Sequence, residues 1–128
     1  MSYINLLTKI KNAQAVKKED LKTPYSKNDM IVADLLVKNG FLEDATHKGR
    51  MPKRIIDIQL KYNEDEQGAI NGVRFVSKPS RRLYSGYKDL KPIKSGFGTA
   101  FVSTSKGIMT TKDARKQKLG GELLFEIW

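Results

Sequence analysis

The sequence predicts an α+β protein: an N-terminal α-β-α-β-β lobe packed on a mostly β C-terminal lobe with one short helix. Three features support this class. Apolar residues recur at helical spacing near the start of the chain and again over residues 30–37. The run RIIDIQLKY alternates as a half-buried strand does, and the second half of the chain breaks into short strand-like runs separated by Gly, Pro and Ser. Between the halves lies NEDEQGAING, which joins turn formers to a local charge reversal and divides residues 1–66 from residues 67–128.

The elements follow in order. Ile4, Leu7, Ile10 and Gln14 form one stripe, with Leu6 and Ala13 beside it, so an amphipathic helix is expected over about residues 3–16. LKTPYS is a short strand, in which Pro24 requires an edge or a strand end. Ser26, with Asp29 three residues on, caps a second helix whose apolar face runs from Met30 to Val37, and Asn39 and Gly40 end it. Phe41 and Leu42 open a strand that leads into the loop HKGRMP. In RIIDIQLKY, Ile56, Ile58 and Leu60 face one way and Asp57, Gln59 and Lys61 the other. The second lobe contributes strand-like runs at GVRFVS, RRLYSG, GTAFVST and GELLFEIW. Before the last of these, Thr110 and Asp113 cap a helix over about residues 111–118, which Gly120 and Gly121 are expected to stop.

Composition narrows the chemistry. With 39% hydrophobic and 30% charged residues, the chain is neither disordered nor membrane-embedded in character. No apolar run nears the roughly 18 residues of a membrane helix, so no membrane partner is expected and the expected location is cytoplasmic. The chain has no cysteine and its single histidine is His47, which argues against a zinc site; no metal or other cofactor is expected. Net charge is +10 and unevenly spread: residues 1–61 carry 12 Lys/Arg and 7 Asp/Glu, and residues 70–128 carry 12 and 4. Within residues 74–118 only Asp89 and Asp113 oppose the basic side chains. Such a field draws a polyanion.

The densest candidate site is VSTSKG, with Ser103, Thr104, Ser105, Lys106 and Gly107 in succession. Ser103 and Lys106 have the S-x-x-K spacing of a serine acyl hydrolase, and Lys94-Ser95-Gly96 and Ser26-Lys27-Asn28 loosely echo its companion motifs. That chemistry needs the serine at a helix start. Here a strand precedes it and Gly107 follows the lysine, and in an extended chain Ser103 and Lys106 point to opposite faces. Gly96-Phe97-Gly98 leads into a strand, not a helix, and reads as a tight strand entry instead of a phosphate loop. Glu64-Asp65-Glu66 lacks calcium-loop spacing and reads as a solvated turn. RNA suits the hydroxyls better, since they both donate and accept on short side chains and can follow base edges and ribose 2′-hydroxyls. In RRLYSGYK, Tyr84 and Tyr87 offer stacking faces, and Arg81, Arg82 and Lys88 offer phosphate partners. The plainer alternatives are a solvated turn for the hydroxyls and core packing for the tyrosines.

The run GFGTAFVSTSKGIMTTKDARKQKLGGELLFEIW closely resembles the C-terminal signature of the bacterial small-subunit ribosomal protein eight family, and LLTKIKNAQ, LVKNGFLED and SKPSRRLY match its earlier segments in order. The resemblance implies a non-enzymatic, two-lobed constituent of the small ribosomal subunit. It would bind directly to an irregular helix in the central domain of the small-subunit ribosomal RNA and help organise that domain during assembly. Recognition by the serine-threonine-serine loop carries over to Ser103, Thr104 and Ser105, with Lys106 and Gly107 beside them. The preceding basic segment adds Lys78, Arg81, Arg82 and Tyr84. Neighbouring small-subunit proteins, notably protein five, are implied partners, and some members also bind their own messenger RNA. Two positions depart from the family pattern: Ser80 follows the proline of the SKPG-type turn, and the first helix lacks an acidic residue before it, leaving Asn5 or Ser2 to cap.

Overall fold

The computed structural model describes residues 2–50, 52–90 and 98–128. The chain divides into two units, residues 2–70 and 71–128. The expected glycine entry at Gly96-Phe97 and the motif echo at Lys94-Ser95-Gly96 lie outside the described residues.

The first unit runs α1 (Ser2–Ala15), β1 (Asp20–Pro24), α2 (Lys27–Lys38), β2 (Leu42–Lys48) and β3 (Ile55–Leu60). It has the predicted α-β-α-β-β order. Helix α1 buries the expected stripe, with Leu6, Leu7 and Ile10 almost inaccessible. It begins at Ser2, so Asn5 lies inside the helix and does not cap it. Gln14, at the end of the stripe, donates to the Ile70 carbonyl and accepts from the Ile70 N–H, which ties residue 70 to α1. Ser26 caps α2 as expected, accepting from the Asp29 N–H at 3.1 Å, and Gly40 takes the left-handed conformation past its end at φ +84°.

The three strands are antiparallel in the order β1-β3-β2. Pro24 ends the edge strand β1, where its missing N–H costs no ladder bond. Strand β2 extends to Lys48, so His47 and Lys48 belong to it and the loop starts only at Gly49. The alternation in β3 is less clean than the sequence implied. Ile56, Ile58 and Leu60 are buried, but so is Asp57, at 7% exposure. Its carboxylate escapes the penalty of isolation because Lys48 on the neighbouring strand reaches it at 2.9 Å.

The second unit contains β4 (Val73–Phe75), β5 (Tyr84–Ser85), a 3-10 turn at Tyr87–Asp89, β6 (Thr99–Thr104), β7 (Gly107–Thr110), α3 (Thr111–Lys116) and β8 (Gly121–Ile127). Strand β8 is central, pairing with β4 and β5 along one edge and with β6 along the other, and β7 pairs with β6. Phe101 and Phe125, opposite each other on β6 and β8, stack with centroids 4.6 Å apart. Such a pair adds about 0.5–1.5 kcal/mol beyond its buried area. On the other face Val102, Met109, Leu90 and Ala114 form a cluster that holds α3 and the 3-10 turn.

Three expectations for this unit need correction. Strand β7 is absent from the strand-like runs the sequence offers, because four residues between a turn and a helix cap leave little periodicity. Of RRLYSG, only Tyr84 and Ser85 pair as a strand. Helix α3 is capped by Thr110 as expected, but it stops at Lys116, before Gly120 and Gly121. Lys118, at φ +57°, makes the left-handed turn, and the Leu119 N–H donates back to the Ala114 carbonyl. The two glycines serve close strand approach: a Cβ on Gly120 would stand 2.5 Å from the Ser85 carbonyl oxygen, and one on Gly121 would collide with the Ser103 carbonyl.

Candidate nucleic-acid interface

The hydroxyl run folds as the tip of the β6–β7 hairpin. Ser103 pairs with Ile108 and Thr104 with Gly107, leaving Ser105 and Lys106 as the connection. Neither connecting residue has positive φ, whereas Gly107 stands at +112°. The reversal therefore relies on a glycine immediately after the turn, a position that an L side chain adopts only under strain. Thr104 locks it: its Oγ1 accepts from the Lys106 N–H at 3.1 Å and donates to the Gly107 carbonyl at 2.8 Å. The Ser103 and Ser105 hydroxyls make no hydrogen bond among the described residues. Ser105 and Lys106 are exposed and Ser103 is half-buried.

Cross-strand register extends the surface. Ser103 lies opposite Glu122 on β8, and Glu122 lies opposite Tyr84 on β5. Directly paired residues share a face of a sheet, so Tyr84, Glu122 and Ser103 form one row. That face is opposite the one carrying Val102 and Leu123, on which α3 packs. Tyr84 is 70% exposed, so its ring is open for stacking. Tyr87, the other predicted stacking residue, instead packs against the Leu90 cluster.

Ahead of this row a short loop carries the basic residues. The Lys78 N–H donates to the Arg81 carbonyl and the Arg81 N–H to the Lys78 carbonyl, each at 2.9 Å. This closes the turn around Pro79 and Ser80. Ser80 does not have positive φ, so serine fits where the family pattern has glycine. Ser77, fully buried, holds the base of the loop: its Oγ accepts from the Leu83 N–H at 2.9 Å and donates to the Leu83 carbonyl at 3.2 Å. Lys78, Arg81 and Arg82 are left exposed.

The structure thus unites the predicted residues in one unit but divides their work. Ser103, Ser105, Lys106 and Tyr84 present functional groups, Thr104 and Gly107 shape the tip, and Lys78, Arg81 and Arg82 stand on the preceding loop. Ser103 lies on β6 and Lys106 in the hairpin turn, without the helical turn that S-x-x-K chemistry requires. Two residues were missed from sequence. Ser77 was indistinguishable from any loop serine. Glu122 gave one signal, as one of two acids with Glu126 in an otherwise apolar last strand of a basic half of the chain, and its Oε2 is buried without a partner among the described residues. Among the described residues no group of His, Cys, Asp or Glu is placed to hold a metal, and no helix is long and apolar enough to cross a membrane.

A family model described as Ribosomal protein S8 matches residues 3–128. The chain belongs to the ribosomal protein S8 family. Proteins named small ribosomal subunit protein uS8 are similar to it over nearly their whole length. That of Bacillus mycoides is 40% identical over 124 residues, covering 97% of this chain and 94% of the relative. Those of Caldicellulosiruptor bescii and Rippkaea orientalis are 41% and 42% identical, each again covering 97% of this chain and 94% of the relative. Membership makes this S8-family chain a structural constituent of the small ribosomal subunit, acting in the ribosome with its RNA and proteins, and not an enzyme.

Proposed function

We propose that the chain binds the central domain of the small-subunit ribosomal RNA directly, through the hairpin tip and the row beside it, and helps organise that domain during assembly. The observation that carries this reading is the division among the three hydroxyls. The Thr104 hydroxyl is committed to the turn, whereas those of Ser103 and Ser105 keep their donor and acceptor capacity for a ligand. Lys106, Lys78, Arg81 and Arg82 supply phosphate contacts, which set affinity and position without reading sequence. Tyr84 supplies a stacking face.

Glu122 sharpens the selectivity. A carboxylate repels phosphate, so within a basic surface it favours a ligand that offers a donor, such as an exocyclic base amine or a 2′-hydroxyl. Regular A-form RNA hides its base edges in a deep, narrow major groove. An irregular helix with splayed bases would expose such donors, which matches the central-domain helix implied by the family resemblance. A hairpin in the protein's own messenger RNA would compete for this surface if it presented the same irregularity. On the strength of that resemblance alone, protein five of the same subunit is the proposed protein neighbour.

The test is titration of the central-domain helix with wild type and Ser105→Ala at fixed salt. The expected loss is about 1–3 kcal/mol for a paired hydroxyl removed from a desolvated contact. Unchanged binding would take Ser105 out of recognition. Equal wild-type affinity for an unrelated RNA helix of the same length would reduce the function to general nucleic-acid binding.

A further inference from the structure

Strands β4 and β5 occupy the same edge of β8 and run in the same direction, so they are two pieces of one interrupted strand. Between Phe75 and Tyr84 this edge advances nine residues while β8 advances three, from Phe125 to Glu122, so six residues are looped out. They are residues 77–82, which carry Lys78, Arg81 and Arg82. The number matters because side chains alternate along a strand. With five or seven residues looped out, Ser85 or Leu83 would stand opposite Glu122 and Tyr84 would turn to the other face. Strand β5 cannot prevent this by itself: it has two paired residues, where strands usually have about five or six. Nor does packing of the Tyr84 ring, which is largely exposed.

The register is fixed at the seam where the chain leaves and re-enters the edge. Ser77 is the first looped-out residue and Leu83 the first to return. The Ser77 Oγ accepts from the Leu83 N–H and donates to the Leu83 carbonyl, so one hydroxyl does for Leu83 what both groups of a backbone neighbour would do. Ser77 is itself anchored: it is fully buried, and the Val76 and Ser77 N–H groups both donate to the Leu124 carbonyl, at 3.1 and 3.4 Å. Leu83 is tied to the same strand, since its carbonyl also accepts from the Leu123 N–H at 2.9 Å. Beyond Tyr84, the bare Gly120 lets the chain pass: a Cβ there would stand 2.8 Å from the Gly86 Cα. Tyr84 is thus held between a hydroxyl seam and a close glycine crossing.

We infer that Ser77 is a positioning residue for RNA selectivity: its buried hydroxyl selects which residue re-enters the edge strand, and so puts Tyr84 in the row with Glu122 and Ser103. The inference rests on the RNA-binding role proposed for that row. Ser77 touches no ligand itself. It acts through Leu83 on the neighbouring Tyr84, and it leaves every charge of the basic loop in place.

The test titrates the full chain at fixed salt with the central-domain helix and with a scrambled helix of equal length. Ser77→Ala should weaken binding to the central-domain helix about tenfold, the worth of a misplaced stacking ring. Binding to the scrambled helix should stay within about twofold, because non-specific affinity rests on charges the variant keeps. Adding Tyr84→Ala to Ser77→Ala should cost little more, whereas adding Ser105→Ala should multiply the two single losses. In the free protein the Leu83 amide of Ser77→Ala should exchange its hydrogen about tenfold faster, with the Phe101 and Phe125 amides unchanged. Ser77→Cys fills the buried site but bonds weakly, so it should repeat the loss of selectivity even if Ser77→Ala is too unstable to titrate. Equal weakening on both helices would reduce Ser77 to a general structural role and overturn the inference. So would multiplied losses for Ser77→Ala with Tyr84→Ala, or an unchanged Leu83 amide. If Tyr84→Ala weakened binding but Ser77→Ala did not, this inference alone would fall. If Tyr84→Ala bound normally, the role proposed for the row would fall and take this inference with it.

Discussion

Thr104 donates its hydroxyl hydrogen to the Gly107 carbonyl at 2.8 Å, closing the tip of the β6–β7 hairpin from inside. The same oxygen accepts from the Lys106 N–H. The central hydroxyl of the serine-threonine-serine run is therefore a structural brace between two hydroxyls that make no hydrogen bond among the described residues.

Replacing that brace should affect stability, whereas replacing its neighbour should not. Thr104→Ala is expected to cost about 1 kcal/mol in urea unfolding, the usual net worth of such hydrogen bonds. Thr104→Ser, which keeps the oxygen, should cost less. Ser105→Ala should fall within about 0.5 kcal/mol of wild type. Equal losses for Thr104→Ala and Ser105→Ala would refute the division.

Two glycines lie beside Thr104 and should fail in different ways. A Cβ on Gly107 meets nothing within 4 Å, so Gly107→Ala carries only the strain of its φ of +112°. That is about 1–2 kcal/mol. A Cβ on Gly121 would strike the Ser103 carbonyl and come within 3.2 Å of the Thr104 Cα, both backbone atoms of a paired strand. Gly121→Ala should therefore cost about 3 kcal/mol and also displace Ser103. Denaturant midpoints and RNA titration of the two variants check the order; a milder Gly121→Ala would contradict it.

Glu122 should trade stability for binding. Its buried Oε2 has no partner among the described residues, so Glu122→Leu is expected to raise the stability of the free protein by about 1 kcal/mol. The same change should weaken binding to the central-domain helix about tenfold, through loss of one hydrogen bond to a charged acceptor. A variant that was more stable and bound RNA normally would leave the carboxylate without a role in recognition.

Asp34, on α2, gives a pH-dependent test. Partial desolvation raises its pKa above the ordinary 3.8; His47 opposes the rise and Asp44 adds to it. Between the ordinary and raised values the folded protein binds more protons than the unfolded chain. Stability therefore falls as pH rises through that window, and the loss persists at neutral pH. The side chain is exposed, so the effect is small. Asp34→Asn should unfold at a slightly higher temperature than wild type near neutral pH and at the same temperature below pH 3.8. A lower melting temperature at neutral pH would reverse the inferred sign.

Much of the fold was legible because local patterns and tertiary packing agree. The stripe of α1, the Ser26 and Thr110 caps, Pro24 at a strand end and the apolar face of β3 each express a short-range rule that the packed unit satisfies. The misreadings arose where a distant partner overrode the local pattern. Asp57 looked solvent-facing until Lys48 on the next strand neutralised it. Gly120 and Gly121 looked like a helix stop until β5 and β6 were found pressed against them. Strand β7 was too short to announce itself.

Residue order and chemistry alone determined the cationic character, the absence of thiol chemistry, the hydroxyl run and the family resemblance, since these need no knowledge of what lies opposite what. Only the tertiary structure decided which hydroxyl is spent, that Glu122 stands between Ser103 and Tyr84, and that Asp57 is buried beside Lys48 of the neighbouring strand. Each depends on strand register, which pairs residues remote in the chain and is set by the packing of whole faces, not by any local run of sequence.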